Sequence, residues 1–215
     1  TCQGKLAQVK LIFSALGDFS DFQDLPTVAG GLVANKVGLN IFPWNIPDGL
    51  FTDKAKIRIT SPDELNGMDQ SFAEFSIIAN FGVDAPLKDA PYKVGGDIPI
   101  RWRSTSKGEV GFVPKVNFAY SINNAAYVEF AWNVANPAVA GNQGQFTWEN
   151  IPEDIISTNA KIKVIDAGDI DAFAASESFI IKADLEFLQP GGSANQTLTV
   201  GEDLDIQWKS KGNVS

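Results

Sequence analysis

The chain has 215 residues, a formal net charge of −9 and a pI near 4.5. Its 44% hydrophobic and 11% aromatic content is enough for a packed core and excludes a disordered chain. The acidic balance leaves no basic footprint for nucleic acid, and no apolar run reaches membrane-spanning length.

In chain order, residues 9–14 (V-K-L-I-F-S) alternate Val9, Leu11 and Phe13 against Lys10 and Ile12, the period of a strand. Residues 17–26 are acidic and turn-rich. A strand is expected over 32–40, running on to Phe42-Pro43-Trp44, with a turn or a single helical turn at 47–50. Residues 56–60 predict a strand with Ile57 and Ile59 inward and Lys56, Arg58 and Thr60 outward. A loop over 61–70 carries Asp63, Glu64 and Asp69, and a closing strand is expected over 72–78.

Short strands follow at 81–86 and 92–96. The next, D-I-P-I-R-W-R-S, places Ile98, Ile100 and Trp102 on one face. Pro99 cannot donate to a ladder, so this strand is expected at a sheet edge or a bulge. Further strands are expected over 115–121 and 126–132, then a Pro/Gly/Asn loop over 133–143. Residues 145–166 read as strand, turn, strand: Phe146 and Trp148 share a face, Ile151-Pro152 breaks the run, and Ile162 and Val164 return to the core. An acidic loop with Asp166, Asp169 and Asp171 leads to a strand over 178–182.

Residues 184–215 then begin again, with Leu204, Ile206 and Trp208 repeating Ile98, Ile100 and Trp102. Ser14 and Ser121, Trp44 and Trp148, and Ile57 and Ile162 recur at the same spacing, about 105 residues. The fold expected is all-β: tandem immunoglobulin-like β-sandwich repeats of about 105 residues in a permuted frame. A first unit, 1–79, lacks its opening strands; a second, 80–183, is complete; and 184–215 holds the opening strands of a further unit. Two explanations fit the frame. The chain is a mature or excised piece of a longer array, or Leu204, Ile206 and Trp208 complete the first unit of another copy by strand complementation.

Five stretches carry a resemblance: V-G-G-D-I-P-I-R-W-R-S, V-N-F-A-Y-S-I-N-N-A-A-Y, G-Q-F-T-W-E-N-I-P, A-K-I-K-V-I-D and S-E-S-F-I-I. Together they resemble the immunoglobulin-like domain of KRE/KNH-type fungal wall-glucan assembly proteins and Ser/Thr-rich GPI-anchored wall proteins. Similar domains are used in tandem in large microbial surface proteins. The family's D-G-G-x-x-W after the Y-S strand stands here as Asn123-Asn124-Ala125-Ala126-Tyr127. The resemblance implies a β-sandwich fold and a cell-surface setting, and it brings no catalytic residues.

The residues name few sites. There is no histidine, and the single cysteine, Cys2, cannot form an internal disulfide. No G-x-S-x-G, phosphate loop or zinc spacing occurs. Asp166, Asp169 and Asp171, and Asp63, Glu64 and Asp69, are candidates for calcium or for solvated acidic loops. The pairs Glu153-Asp154 and Glu202-Asp203 are adjacent in sequence and suit turns better than glycosidase chemistry. Trp44, Trp132, Tyr127 and Phe130 could form a sugar platform or sandwich core. Asn195-Gln196-Thr197 and Asn213-Val214-Ser215 are sequons. The function expected is a non-enzymatic extracellular structural protein of a surface layer, sheath, fibre or adhesin stalk. Its partners are other copies or neighbouring repeats, and no cofactor is called for. The alternative is a carbohydrate-binding or accessory module of a secreted polysaccharide-active protein.

Overall fold

The computed structural model describes residues 6–25, 31–47, 49–62, 67–104, 113–136, 143–191 and 197–212. Among these the protein is all-β, without a helix, and its several sheets are compatible with a β-sandwich. Cys2, Asp63, Glu64, Asn195 and the sequon at Asn213 lie outside the described residues. Two compact units divide the described chain, one up to Ala79 and one from Asn80 onward.

In the first unit, β1 (Gln8–Ser14) pairs antiparallel with β2 (Gln23–Asp24), β3 (Leu32–Ala34) and β4 (Thr52–Thr60). β4 also pairs with β5 (Met68–Gln70) and β6 (Phe75–Ile77). Leu11, Phe13, Leu25, Ala55 and Ile77 form the core, and Phe42, Trp44 and Ile57 pack against it. The strand expected over 32–44 stops at Ala34; among the described residues from Asn35 to Phe51 none lies in a strand. The expectation that Ile59 turns inward and Thr60 outward is also corrected, because Ile59 is 45% exposed while Thr60 is buried. The face was read correctly, since Leu11 pairs with Ile59 and Phe13 with Ile57. What differs is that among the described residues none covers the Ile59 end of that face.

Among the described residues the second unit has, besides a two-stranded hairpin, two larger sheets. One contains β8 (Pro91–Lys93), β10 (Lys115–Ile122), β11 (Val128–Ala135), β13 (Ser157–Asp166), β14 (Phe173–Ala175) and β15 (Phe179–Lys182). The other has the order β12-β9-β7, with β7 Phe81–Ala85, β9 Ile98–Ser104 and β12 Gly144–Trp148. Alternation does the sorting: Ile98, Ile100 and Trp102 of β9 are fully buried, as are Val116 and Phe118 of β10 and Ile162 and Val164 of β13. Trp102 meets Phe118 edge-on at 5.1 Å. Of the two expectations, edge or bulge, the edge is corrected, because β9 lies between β12 and β7, while its pairing with β7 does carry a register shift between Val83 and Ala85. Pro99 is tolerated because β7 pairs only from Arg101 onward, so on the β7 side no ladder bond is required of it.

The two units share strand register. Leu11 opposite Ile59 and Phe13 opposite Ile57 in the first recur as Phe118 opposite Val164 and Tyr120 opposite Ile162 in the second. Arg58 opposite Gln70 recurs as Lys163 opposite Ala175, and Thr52 opposite Ile77 as Ser157 opposite Ile181. Even a side-chain bond recurs: Ile57 N–H donates to Ser71 Oγ at 3.2 Å, and Ile162 N–H to Ser176 Oγ at 3.0 Å.

A hairpin follows as a two-stranded sheet of its own: β16 (Asp184–Gln189) pairs with β17 (Gln207–Lys211). It repeats the β7–β9 pairing. Phe81 opposite Ser104 and Val83 opposite Trp102 recur as Leu185 opposite Ser210 and Phe187 opposite Trp208, each followed by a register shift.

Candidate functional site

The most distinctive surface of the first unit is its open sheet face. Val9, Leu11, Ile57 and Ile59 form the floor of a groove of about 920 Å³, walled by Leu25, Val33, Phe42 and Trp44. The floor follows from period-two alternation on β1 and β4. The wall from Asn35 to Trp44 is held by a side-chain clamp. Asn40 Oδ1 accepts from Lys36 N–H at 3.1 Å, and Asn40 Nδ2 donates to the Lys36 carbonyl at 2.9 Å. Trp44 packs on Phe13 with ring centroids 4.9 Å apart, and its buried Nε1 has no partner among the described residues. Ile41 and Leu39 project into solvent. The floor and most of the wall are apolar, with Asn35, Lys36 and Asn40 at one end, so the groove suits apolar side chains.

The second unit carries the complementary kind of surface. Trp208 of β17 is 62% exposed, and Leu185, Phe187, Leu204 and Ile206 are exposed with it. The sequence marked Leu204, Ile206 and Trp208 together; Leu204 and Ile206 precede β17 and belong to no assigned strand. The root of the hairpin is fixed to its unit. Lys93 Nζ donates to Asp184 Oδ1 at 2.7 Å, which holds the Asp184 carboxyl below the usual carboxylate range. Gly212 lies against Ile156 and Val94 so closely that an added Cβ would stand 2.7 Å from Ile156 Cδ1.

Among the carboxylates called for calcium, Asp166 Oδ1 accepts from Gly168 N–H at 2.7 Å, and Asp169 Oδ1 from Asp171 N–H at 3.0 Å. These are turn-closing bonds of the loop between β13 and β14. Asp69 lies on β5, and its Oδ1 accepts from Gln70 N–H. Among the described residues no group of three or more His, Cys, Asp or Glu side chains could hold a metal ion. Other carboxylates also serve backbone or ion pairs. Arg103 donates to both oxygens of Asp84, at 2.8 and 2.7 Å, and keeps that carboxyl below its ordinary range. Asp97 Oδ1 accepts from Asn150 N–H at 3.1 Å. Glu153, Asp154, Glu202 and Asp203 are exposed and lie outside the strands.

The four aromatics that could form a sugar platform or sandwich core divide between the two settings. Trp44 belongs to the first unit's core. Phe130 stacks on Trp148 at 4.3 Å, within a run of rings that includes Tyr120, Phe118 and Phe146. Only Tyr127 and Trp132 of the four are exposed, and Trp132 Nε1 donates to Glu129. Sequence reasoning missed Phe173, an exposed ring of β14 with Lys163 Nζ 3.5 Å from its centroid. Its signal was an aromatic at an outward position of a short strand.

Comparison with known proteins brings nothing further to these surfaces: no protein-family model and no curated protein matches the chain. Among the described residues no helix is long and apolar enough to cross a membrane.

Proposed function

We infer that this chain is a non-enzymatic structural repeat protein of an extracellular array: a surface layer, sheath, fibre or adhesin stalk. It is built from tandem immunoglobulin-like sandwich units of about 105 residues in a permuted frame. The observation that carries the reading is the recurrence of one ladder in both units, down to the Ile57–Ser71 and Ile162–Ser176 bonds. Two further features support it. The turn-forming carboxylates are engaged with backbone N–H groups, and both units present apolar strand surface suited to a neighbouring repeat. The resemblance to KRE/KNH-type wall domains favours a cell-surface location, and the net charge of −9 suits an exposed, solvated array.

The test is light scattering with electron microscopy of the purified chain over a wide concentration range, beside a panel of polysaccharide hydrolase assays. Ordered multimers without turnover are the expected result. A monomer that hydrolyses a polysaccharide would overturn the reading.

Exposed Trp132, Tyr127 and Phe173 of the second unit favour one alternative, a carbohydrate-binding module. It predicts retardation in affinity gels containing wall polysaccharide, lost in Trp132→Ala.

A further inference from the structure

The open groove of the first unit and the exposed hairpin of the second match in pattern. In the second unit, the floor equivalent to Val9, Leu11, Ile57 and Ile59 is Val116, Phe118, Ile162 and Val164, all fully buried. There the β7–β9 hairpin covers it, and β9 pairs with β12. In the first unit the equivalent of β12 is the run Ile41-Phe42-Pro43-Trp44, which pairs with no strand among the described residues, and of the floor Val9 and Ile57 are half-buried and Ile59 exposed. The β16–β17 hairpin has the same register as β7–β9, with the same register shift, yet its apolar side chains are exposed.

We propose that the groove of the first unit receives the β16–β17 hairpin of a second copy of this chain. The proposal rests on the array reading above and names the contact that builds the array. The ladder follows from the β9–β12 register, in which Gln145 opposes Arg101, Phe146 opposes Ile100, Thr147 opposes Pro99 and Trp148 opposes Ile98. Transferred, it sets Ile41 opposite Gln207, Phe42 opposite Ile206, Pro43 opposite Asp205 and Trp44 opposite Leu204. Leu204, Ile206 and Trp208 then point to the floor, as Ile98, Ile100 and Trp102 do.

Two details bear on the fit. Pro99 has no N–H, so the Thr147–Pro99 pair cannot exchange two hydrogen bonds and is a non-bonded pair of the ladder. Pro43 falls at the equivalent pair opposite Asp205, where its missing N–H is not needed. At the end of the ladder the two sites differ. Gly144 lets Trp102 lie across it, and an added Cβ there would stand 2.2 Å from the indole, whereas Asn40 occupies the equivalent place in the first unit. In the proposed contact the smaller Leu11 would stand beneath the indole where Phe118 stands beneath Trp102. The contact is heterologous, with groove on one copy and hairpin on the next, so each added copy leaves one of each free and growth stays open-ended.

The register supplies the experiment. Ile41 and Gln207 form a non-bonded pair with both side chains outward, the place in a ladder where Cβ atoms come close enough for a disulfide. In a Cys2→Ser background, protein carrying Ile41→Cys is mixed with protein carrying Gln207→Cys and oxidised with glutathione disulfide. A covalent dimer in the mixture is expected, at least tenfold above either protein alone and above a mixture in which the exposed Lys209→Cys replaces Gln207→Cys, two residues along the same hairpin face. Adding Trp208→Asp to the hairpin partner is expected to abolish it. That side chain is exposed, so folding is preserved, as circular dichroism would check.

Multimers by light scattering without the Ile41–Gln207 link would overturn the hairpin contact and leave the array reading standing. A strictly monomeric chain without the link would overturn the contact as well. With both cysteines in one chain, closure within single chains at high dilution, and no dimer in the mixture, would assign the groove to the chain's own hairpin and overturn the second copy as occupant.

Discussion

Ser14 is buried at the end of β1 and fully paired. Its hydroxyl donates to Asp21 Oδ1 at 2.6 Å and accepts from Gly17 and Phe19 N–H at 2.9 and 3.1 Å. Asp21 also accepts from Ala15 N–H at 3.0 Å. The Ser14 hydrogen bond is the main cause that lowers the Asp21 pKa; burial opposes it, and backbone bonds from Leu16 and Ala15 add to the lowering. A depressed carboxylate stabilises the fold above its unfolded pKa, near 4, and loses that contribution as pH falls through the lower folded value. Asp21→Asn should therefore lower the melting temperature of the first unit at pH 7, with the gap from wild type closing as pH falls below about 4. A gap that stays constant with pH would show that Asp21 acts only through geometry. In the second unit, Asn136 accepts from Trp102 Nε1 at 2.8 Å and donates to Ser104 Oγ and the Val113 carbonyl at 2.8 and 2.9 Å. Asn136→Leu orphans the buried indole N–H and should cost about 1–3 kcal/mol in urea unfolding followed by Trp fluorescence.

At the level of strands, the alternation Ile98, Ile100, Trp102 was legible because a period of two needs no neighbour to be read. So was the β4/β13 correspondence, since Ile57 and Ile162 sit in matching runs. The stretch from Asn35 to Trp44 was misread for the opposite reason: its apolar residues match β12, but a strand requires a partner, and among the described residues none is paired to it. The β14 ring Phe173 escaped notice because a short outward-facing strand carries little pattern. Close packing between strands is equally invisible in sequence. Gly144 opposes Trp102, and a Cβ there would meet the indole at 2.2 Å. Gly144→Ala should destabilise the second unit by about 1–3 kcal/mol by overpacking. Gly82→Ala is the control, since its Cβ meets nothing closer than Arg103 Nη2 at 3.7 Å and should change stability little. Equal midpoints for the two variants would show that β12 shifts to absorb the added methyl.

For the whole molecule, the five tryptophans report on different places. Trp102 and Trp148 are buried, Trp44 lines the groove, and Trp132 and Trp208 are exposed. Acrylamide should therefore quench two of the five strongly in dilute solution. As concentration rises and the groove fills, quenching of Trp208 should fall while that of Trp132 persists. Trp208→Phe removes the concentration-dependent part and Trp132→Phe the constant part. A constant quenching profile would mean that Trp208 stays in solvent. Burial of apolar surface should make the association more resistant to salt than a charge-steered one, so 0.5 M NaCl should leave the multimer distribution nearly unchanged.

One residue, Ala183, separates β15 from β16. With the Asp184 carboxylate held by Lys93, the hairpin has little slack relative to the body that carries it. Its strands are already paired before any encounter, so docking need not wait for coupled folding or for a flexible arm to search. The rate of growth would then be set by collision geometry, and a flexible Gly-Ser insertion after Ala183 would replace one presented orientation with many. Such an insertion should lengthen the lag before multimers appear while leaving the second unit's melting temperature in place. The shortness of that joint makes it a kinetic device as well as a covalent one.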